Sequence, residues 1–222
     1  MIELKNLEIG YSTKFKNKSV FKHISLNFSA GELVGLIGNN GVGKSTLLKT
    51  ITGNLRPLNG DVLINKKSIQ QISAQELAQQ ISIVITEKIG GFNLTVWDIV
   101  ASGRIPYINI FAKLTTEDEV IVNASLEQLN IKELKDKLID ELSDGQRQKT
   151  MIAKALAQQA PIIILDEPTA FLDYNSKHHL FSFLKKLSRE QHKLIIVSSH
   201  DLDLMKAYVS KTIELTDIGE IN

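Results

Sequence analysis

Cysteine is absent from the chain. No disulfide and no thiolate metal site can form, and that suits the cytoplasm. Long apolar runs are absent as well: none approaches the ~18 residues that span a bilayer as a helix. The opening residues, Met1-Ile2-Glu3-Leu4-Lys5, carry no secretory signal. Neither sign of charge dominates. Lys and Arg number 26 against 25 Asp and Glu, a formal net charge of +1, so no global field recruits nucleic acid and no nucleic-acid partner is expected. There is no low-complexity tract and no fixed-period repeat. The composition, 43% hydrophobic and 23% charged over 222 residues, is that of an ordinary globular chain with room for one sizeable core or two small lobes.

Against this background one stretch stands out. Gly38-Asn39-Asn40-Gly41-Val42-Gly43-Lys44-Ser45-Thr46 fits G-x-x-x-x-G-K-[ST], the phosphate-binding P-loop (Walker A). An apolar run, Leu33-Val34-Gly35-Leu36-Ile37, precedes it as a buried strand, and Thr46 to Ile51 can open a helix. Glycines let successive backbone N–H groups turn toward one phosphate, and the helix N-terminus adds partial positive charge. Lys44 would reach the β- and γ-phosphates and the Ser45 hydroxyl would bind Mg2+. The strand and helix on either side disfavour a plain glycine-rich turn followed by a surface lysine.

The rest of the chain alternates. Ile2, Leu4 and Leu7 through Ile9 suggest a first strand ending near Gly10-Tyr11-Ser12, Thr13 to Lys18 reads as a polar loop and Val20 to Phe28 as a second strand. Asn59-Gly60 is a hairpin signal ahead of Asp61-Val62-Leu63-Ile64. Ser73 to Gln80 suggests a short helix, and Ile81 to Ile85 a β-branched strand ending at Thr86-Glu87. The texture then becomes helical. Thr95 can cap a helix through Val100, Thr116-Glu117-Asp118-Glu119 reads as a capping box, and Lys132 to Leu138 suggests a further helix. Lys149 to Gln159 is strongly helical until Pro161. Ile162 to Leu165 and Leu194 to Val197 are fully apolar strands, with a helix from about Asn175 to Arg189 between them, and Thr212 to Leu215 is a last strand. Such alternation predicts a parallel, doubly wound α/β core, whose ligands sit beyond the carboxyl ends of the strands.

The candidate chemistry falls at those ends. Asp166 and Glu167 close an apolar strand: Asp166 could hold Mg2+ opposite Ser45, and Glu167 could polarise a water in line with the γ-phosphate. A solvated acidic strand end is the plainer alternative. His200, after the Leu194 strand, could hydrogen-bond the γ-phosphate. Tyr11 either stacks on an adenine ring or is an ordinary strand-end tyrosine.

Taken together these residues resemble the ABC ATPases, and the resemblance covers the whole chain. Leu142-Ser143-Asp144-Gly145-Gln146 is similar to the family's L-S-G-G-Q signature, Phe171-Leu172-Asp173 to its D-loop, and the P-loop, signature, Leu165-Asp166-Glu167-Pro168 and Ser199-His200 occur in the family's order. The resemblance implies a P-loop NTPase (RecA-like) core with an antiparallel β subdomain and an inserted helical subdomain. It predicts one ABC domain over 1–222, with the core at about 1–87 and 157–222 and the helical part at about 88–156. It implies an ATPase using ATP and Mg2+, with Lys44, Glu167 and His200 catalytic. Ser45, Glu87 and Asp166 would hold the metal, and Tyr11, residues 38–46 and Ser143, Asp144, Gly145 and Gln146 the nucleotide. Two copies would pair head to tail, the P-loop of one facing the signature of the other.

Within the family, Leu94-Thr95-Val96-Trp97-Asp98-Ile99-Val100-Ala101-Ser102-Gly103-Arg104-Ile105-Pro106-Tyr107 looks most like importers of iron-siderophore, haem or cobalamin. The expected partners are a membrane permease, touched near Phe92, Tyr107, Ile110 and Phe111, and indirectly a periplasmic or lipoprotein substrate-binding protein. The expected place is the cytoplasmic face of the membrane. Import rather than export rests on the resemblance and on the lack of a fused membrane domain. Two residues depart from the family: Glu87 stands where glutamine is usual, and Asp144 replaces a signature glycine. The alternatives are a soluble, non-transport ABC ATPase, a subunit for another substrate or for export, an unrelated P-loop kinase or GTPase, and a nucleotide-binding module without catalysis.

Overall fold

The computed structural model describes residues 1–12, 16–39, 41–85, 93–108, 113–215 and 220–221. One five-stranded sheet is antiparallel throughout. It carries β1 (Ile2–Ser12), β2 (Asn17–Phe28), β4 (Asn59–Ile64), β5 (Lys67–Ser68) and β10 (Glu220–Ile221), in the order β10-β2-β1-β4-β5. The other sheet is parallel, in the order β6-β7-β8-β3-β9. Its strands are β3 (Leu33–Ile37), β6 (Ile81–Val84), β7 (Ile162–Asp166), β8 (Leu194–Ser198) and β9 (Lys211–Glu214).

The parallel strands are apolar throughout because both faces are covered. Successive side chains of a strand point to opposite faces. Ile163, Leu165, Ile195 and Val197 thus join a core shared with helices α3 (Val96–Ala101), α4 (Thr116–Gln128), α5 (Asp144–Ala157), α6 (Tyr174–Glu190) and α7 (Leu202–Tyr208). Ile162, Ile164, Leu194 and Ile196 join a second core with the antiparallel sheet and α1 (Lys44–Ile51). The site described below sits where this sheet ends.

Several boundaries differ from the sequence reading. β2 starts at Asn17 rather than Val20, because the hairpin ladder continues through Tyr11↔Lys18 and Ser12↔Asn17. Asn59-Gly60 is no turn but the start of β4. The β1–β4 register slips between Lys5 and Glu8, and a Cβ on Gly60 would lie 2.5 Å and 2.3 Å from the carbonyl oxygens of Lys5 and Asn6. The tight turn is Asn65-Lys66, both with positive φ (49° and 72°), the pattern of a type I′ hairpin. The capping box of α4 is Thr115 with Asp118, one residue earlier than read. Between Lys132 and Leu138 only Lys132–Leu134 is helical, as a 3-10 turn. Helix α5 begins at Asp144, five residues ahead of Lys149, because Ser143 and Gln146 form a capping box there.

The 3-10 segment Ser102–Tyr107 is fastened on several sides. The Arg104 guanidinium, buried, donates to Asp118 Oδ1 at 2.8 Å, to the Ala157 carbonyl at 2.8 Å and to Gln159 Oε1 at 3.0 Å, and lies 4.2 Å from the Tyr107 ring centre. From helix α2 (Ala74–Gln80), Gln75 and Gln79 donate to the Pro106 carbonyl at 3.1 Å and 2.9 Å. Gly103 passes so close to α5 that a Cβ would sit 2.4 Å from the Lys154 carbonyl oxygen. Among the described residues no helix is long and apolar enough to cross a membrane.

Candidate functional site

A cavity of about 380 Å3 opens at the carboxyl end of the parallel sheet, lined by Tyr11, Lys18, Val20, Gly41, Gly43, Lys44, Ser45, Thr46, Asp166 and Glu167. Its floor is the turn that starts α1. Gly43 caps that helix with φ 116°, a conformation L side chains rarely adopt, and a Cβ there would lie 2.7 Å from Val20 Cγ1. No side chain caps α1, so the N–H groups of its first turn point toward the cavity end without a side-chain acceptor. Val42 N–H closes the preceding turn on the Asn39 carbonyl at 3.2 Å.

Lys44 is buried and its ammonium curls back over the loop. It donates to the Gly38 carbonyl at 2.7 Å and the Asn39 carbonyl at 3.4 Å, and stands 3.7 Å from Glu167 Oε1. Glu167 Oε2 meets His200 Nδ1 at 3.0 Å. Lys44, Glu167 and His200, far apart in sequence, therefore form one cluster. Glu167 itself has φ 47°, left-handed backbone at a non-glycine residue. Its Oε1 is buried without a hydrogen-bond partner among the described residues. Such strain and such an orphan oxygen gather at working sites.

Asp166 is buried at the end of β7, and its Oδ1 accepts a hydrogen bond from Ser198 Oγ at 2.5 Å. Ser45 lines the same cavity. Among the described residues no three His, Cys, Asp or Glu side chains cluster as a cation cage. One carboxylate and one hydroxyl suit Mg2+, which holds few protein ligands and takes the remainder from phosphate and water. Tyr11 leaves its ring 47% exposed beside the cavity, its hydroxyl 3.2 Å from Thr46 Oγ1.

The signature residues lie elsewhere. Ser143 caps α5: its Oγ accepts the Gln146 N–H at 3.3 Å, and Gln146 Oε1 accepts the Ser143 N–H at 3.1 Å. Ser143, Asp144, Gly145 and Gln146 do not line the cavity of their own chain. Asn40, Glu87, Phe92, Ile110 and Phe111 fall outside the described residues. The sequence reading passed over Lys18 and Val20. Both are placed at the cavity by the hairpin register, and a longer second strand paired back on Tyr11 would have found them. It also passed over Ser198.

The family model "ABC transporter" matches residues 21–170. An uncharacterized ABC transporter ATP-binding protein of Methanocaldococcus jannaschii, MJ0873, is 43% identical over 92% of this chain and 69% of its own. The probable siderophore transport system ATP-binding protein YusV of Bacillus subtilis is 32% identical over 97% of this chain and 77% of its own. The dimeric structure of MJ0796, a bacterial ABC transporter cassette, superimposes with a TM-score of 0.86 at 28% identity, covering 97% of this chain and 94% of that one. The chain belongs to the ABC transporter family, as an ATP-binding cassette with ATPase activity.

Proposed function

We propose that this chain is the ATP-hydrolysing subunit of an importer for ferric siderophores or a related metal chelate, and that the cavity at β3, β7 and β8 is half of its working site. The observation that carries the hydrolytic reading is that Tyr11, Lys44, Ser45, Asp166 and Glu167 line one cavity, with His200 bonded to Glu167. In this reading the amides of 38–46 cradle the triphosphate and the Lys44 ammonium leaves the Gly38 carbonyl for the β- and γ-phosphates. Ser45 and Asp166 hold Mg2+, which when bound neutralises charge on those phosphate oxygens. Glu167 orients and deprotonates the attacking water while His200 steadies the Glu167 carboxylate and the γ-phosphate. Tyr11 stacks on the base.

The other half of the site comes from a second copy. Ser143 accepts a hydrogen bond at the α5 cap and keeps its own O–H to donate. Its place at a helix N-terminus suits the far side of a γ-phosphate. The dimeric form of MJ0796 supports this pairing. Residues 88–156 then act as the helical unit that meets the permease, and so bring the subunit to the membrane. The siderophore class rests on the name of YusV and on the stretch 94–107.

The test is reconstitution. The subunit is purified with its permease in liposomes, and ATP turnover is measured with binding protein loaded with ferric siderophore, haem, corrinoid or zinc. Stimulation by the ferric siderophore form is expected. Stimulation by another form alone replaces the substrate class, and ATP turnover unresponsive to every binding protein refutes the importer reading.

A further inference from the structure

We propose that Ser198 is a positioning residue for hydrolysis: one hydroxyl that sets both the Asp166 carboxylate and the backbone of Glu167. The inference rests on the reading above, in which Asp166 holds Mg2+ and Glu167 acts on water. Ser198 is the last residue of β8 and pairs in parallel register with Asp166 of β7. Its side chain is completely buried. A serine hydroxyl has one proton and two lone pairs, and here both functions are used. The proton goes to Asp166 Oδ1 at 2.5 Å, and a lone pair accepts the Glu167 N–H at 2.9 Å.

The consequence is geometric. The hydroxyl grips a carboxylate at one residue and the main chain at the next. Glu167 is held in left-handed backbone, which a free non-glycine residue seldom adopts. That conformation aims its side chain at Lys44 and His200. Without the hydroxyl, the partly buried Glu167 N–H loses its acceptor, and the peptide has reason to turn. Asp166 at the same time loses a donor that orients its carboxylate toward the cavity. Donors behind a metal-binding carboxylate commonly tune its affinity.

Ser198→Ala should therefore lower ATP turnover by about tenfold or more and raise the half-saturating Mg2+ for binding of a fluorescent ATP analogue several-fold. Binding of the same analogue in EDTA should not change. Ser198→Thr, which keeps the oxygen and suits a strand, should restore both quantities. If the alanine variant does not fold, Ser198→Cys, with a longer and weaker donor, should fall between wild type and total loss.

Wild-type turnover and Mg2+ demand in the alanine or cysteine variant would overturn the proposal. A threonine variant as impaired as alanine, with EDTA binding lost in both, would do the same and leave Ser198 a packing residue. Asp166→Asn is measured alongside. If it leaves Mg2+ demand unchanged, the metal reading itself falls; if it shifts the demand and Ser198→Ala does not, only the role of Ser198 falls.

Discussion

Replacing Asp118 by alanine should destabilise the protein far more than an average substitution. Asp118 accepts from Arg104 Nε at 2.8 Å, from the Thr115 N–H at 3.0 Å and from Thr115 Oγ1 at 2.8 Å, and both charged partners are buried. Alanine leaves the Arg104 guanidinium buried with only the Ala157 carbonyl, Gln159 Oε1 and the Tyr107 ring. Breaking a buried pair from one side costs about 3–5 kcal/mol. A domain holds only about 5–15 kcal/mol in total, so urea unfolding should show the loss clearly. At about 2–4 °C per kcal/mol for a chain of this size, Tm should fall by about 10 °C.

Asp118→Asn, which keeps an acceptor for the cap, should lose about 2 kcal/mol. The pair Arg104→Met with Asp118→Leu should recover most of the loss, since it removes both buried charges. The Thr115 backbone N–H, and after it Arg104, hold the Asp118 carboxyl below the usual range, against burial, which pushes it up. A lowered folded-state pKa gives stability that is present above the ordinary carboxylate pKa and lost as pH falls through the folded value. Wild type should thus weaken on the acid side of that range and Asp118→Ala should show a flatter acid limb. A loss under about 1 kcal/mol for Asp118→Ala, or a double variant no better than the single, would refute the reasoning.

Other expectations concern the cavity. Lys44→Ala should weaken ATP binding by about 2–5 kcal/mol; unchanged affinity in a calorimetric titration would remove Lys44 from the phosphate site. Glu167→Gln should keep ATP binding, cut turnover by about 10²–10⁴-fold and accumulate a dimer on size exclusion with Mg-ATP; turnover near wild type would take Glu167 out of its role. Tyr11→Ala should cost about 1–3 kcal/mol of nucleotide affinity if the ring stacks on the base, and equal affinities for ATP and for inorganic triphosphate in the wild type would show that it does not.

Legibility differed sharply along the chain. β7 and β8 could be read directly, because covering both faces of a parallel sheet demands an unbroken aliphatic run, and no helical period competes within five residues. The P-loop was equally plain. The start of α5 was not. Asp144 and Gly145 are poor helix formers, although Gln146 to Lys149 are good ones, so propensity alone starts the helix late. Yet Ser143-x-x-Gln146 is a capping box, and that local signal outweighs propensity. The early part of β2 was hidden for the opposite reason: Asn17 and Lys18 are poor strand formers, and only backbone pairing with Tyr11 and Ser12 holds them. Ser198 could not be found at all from the sequence, since its meaning lies in the β7–β8 register.

The start of α5, which the proposed function sets across a dimer from a P-loop, is also tied within its own chain to the segment after Glu167. A Cβ on Gly145 would lie 3.3 Å from the Phe171 carbonyl oxygen and 3.5 Å from Leu172 Cδ2. The first turn of α5 therefore rests on the segment that follows Glu167-Pro168 and leads to Asp173, the cap of α6. That close approach explains a glycine inside a helix, where it otherwise costs about 0.5–1 kcal/mol. Asp144 alters the same turn in another sense. An acid in a first helical turn is favoured by the helix dipole, so Asp144 steadies the start of α5 while adding negative charge where a partner's phosphate would arrive. Arg147, 3.5 Å from it, offsets little of that charge because the pair is half in solvent. In the proposed dimer that charge would oppose closure most strongly while the γ-phosphate is present, since like-charge repulsion grows with the charge it faces.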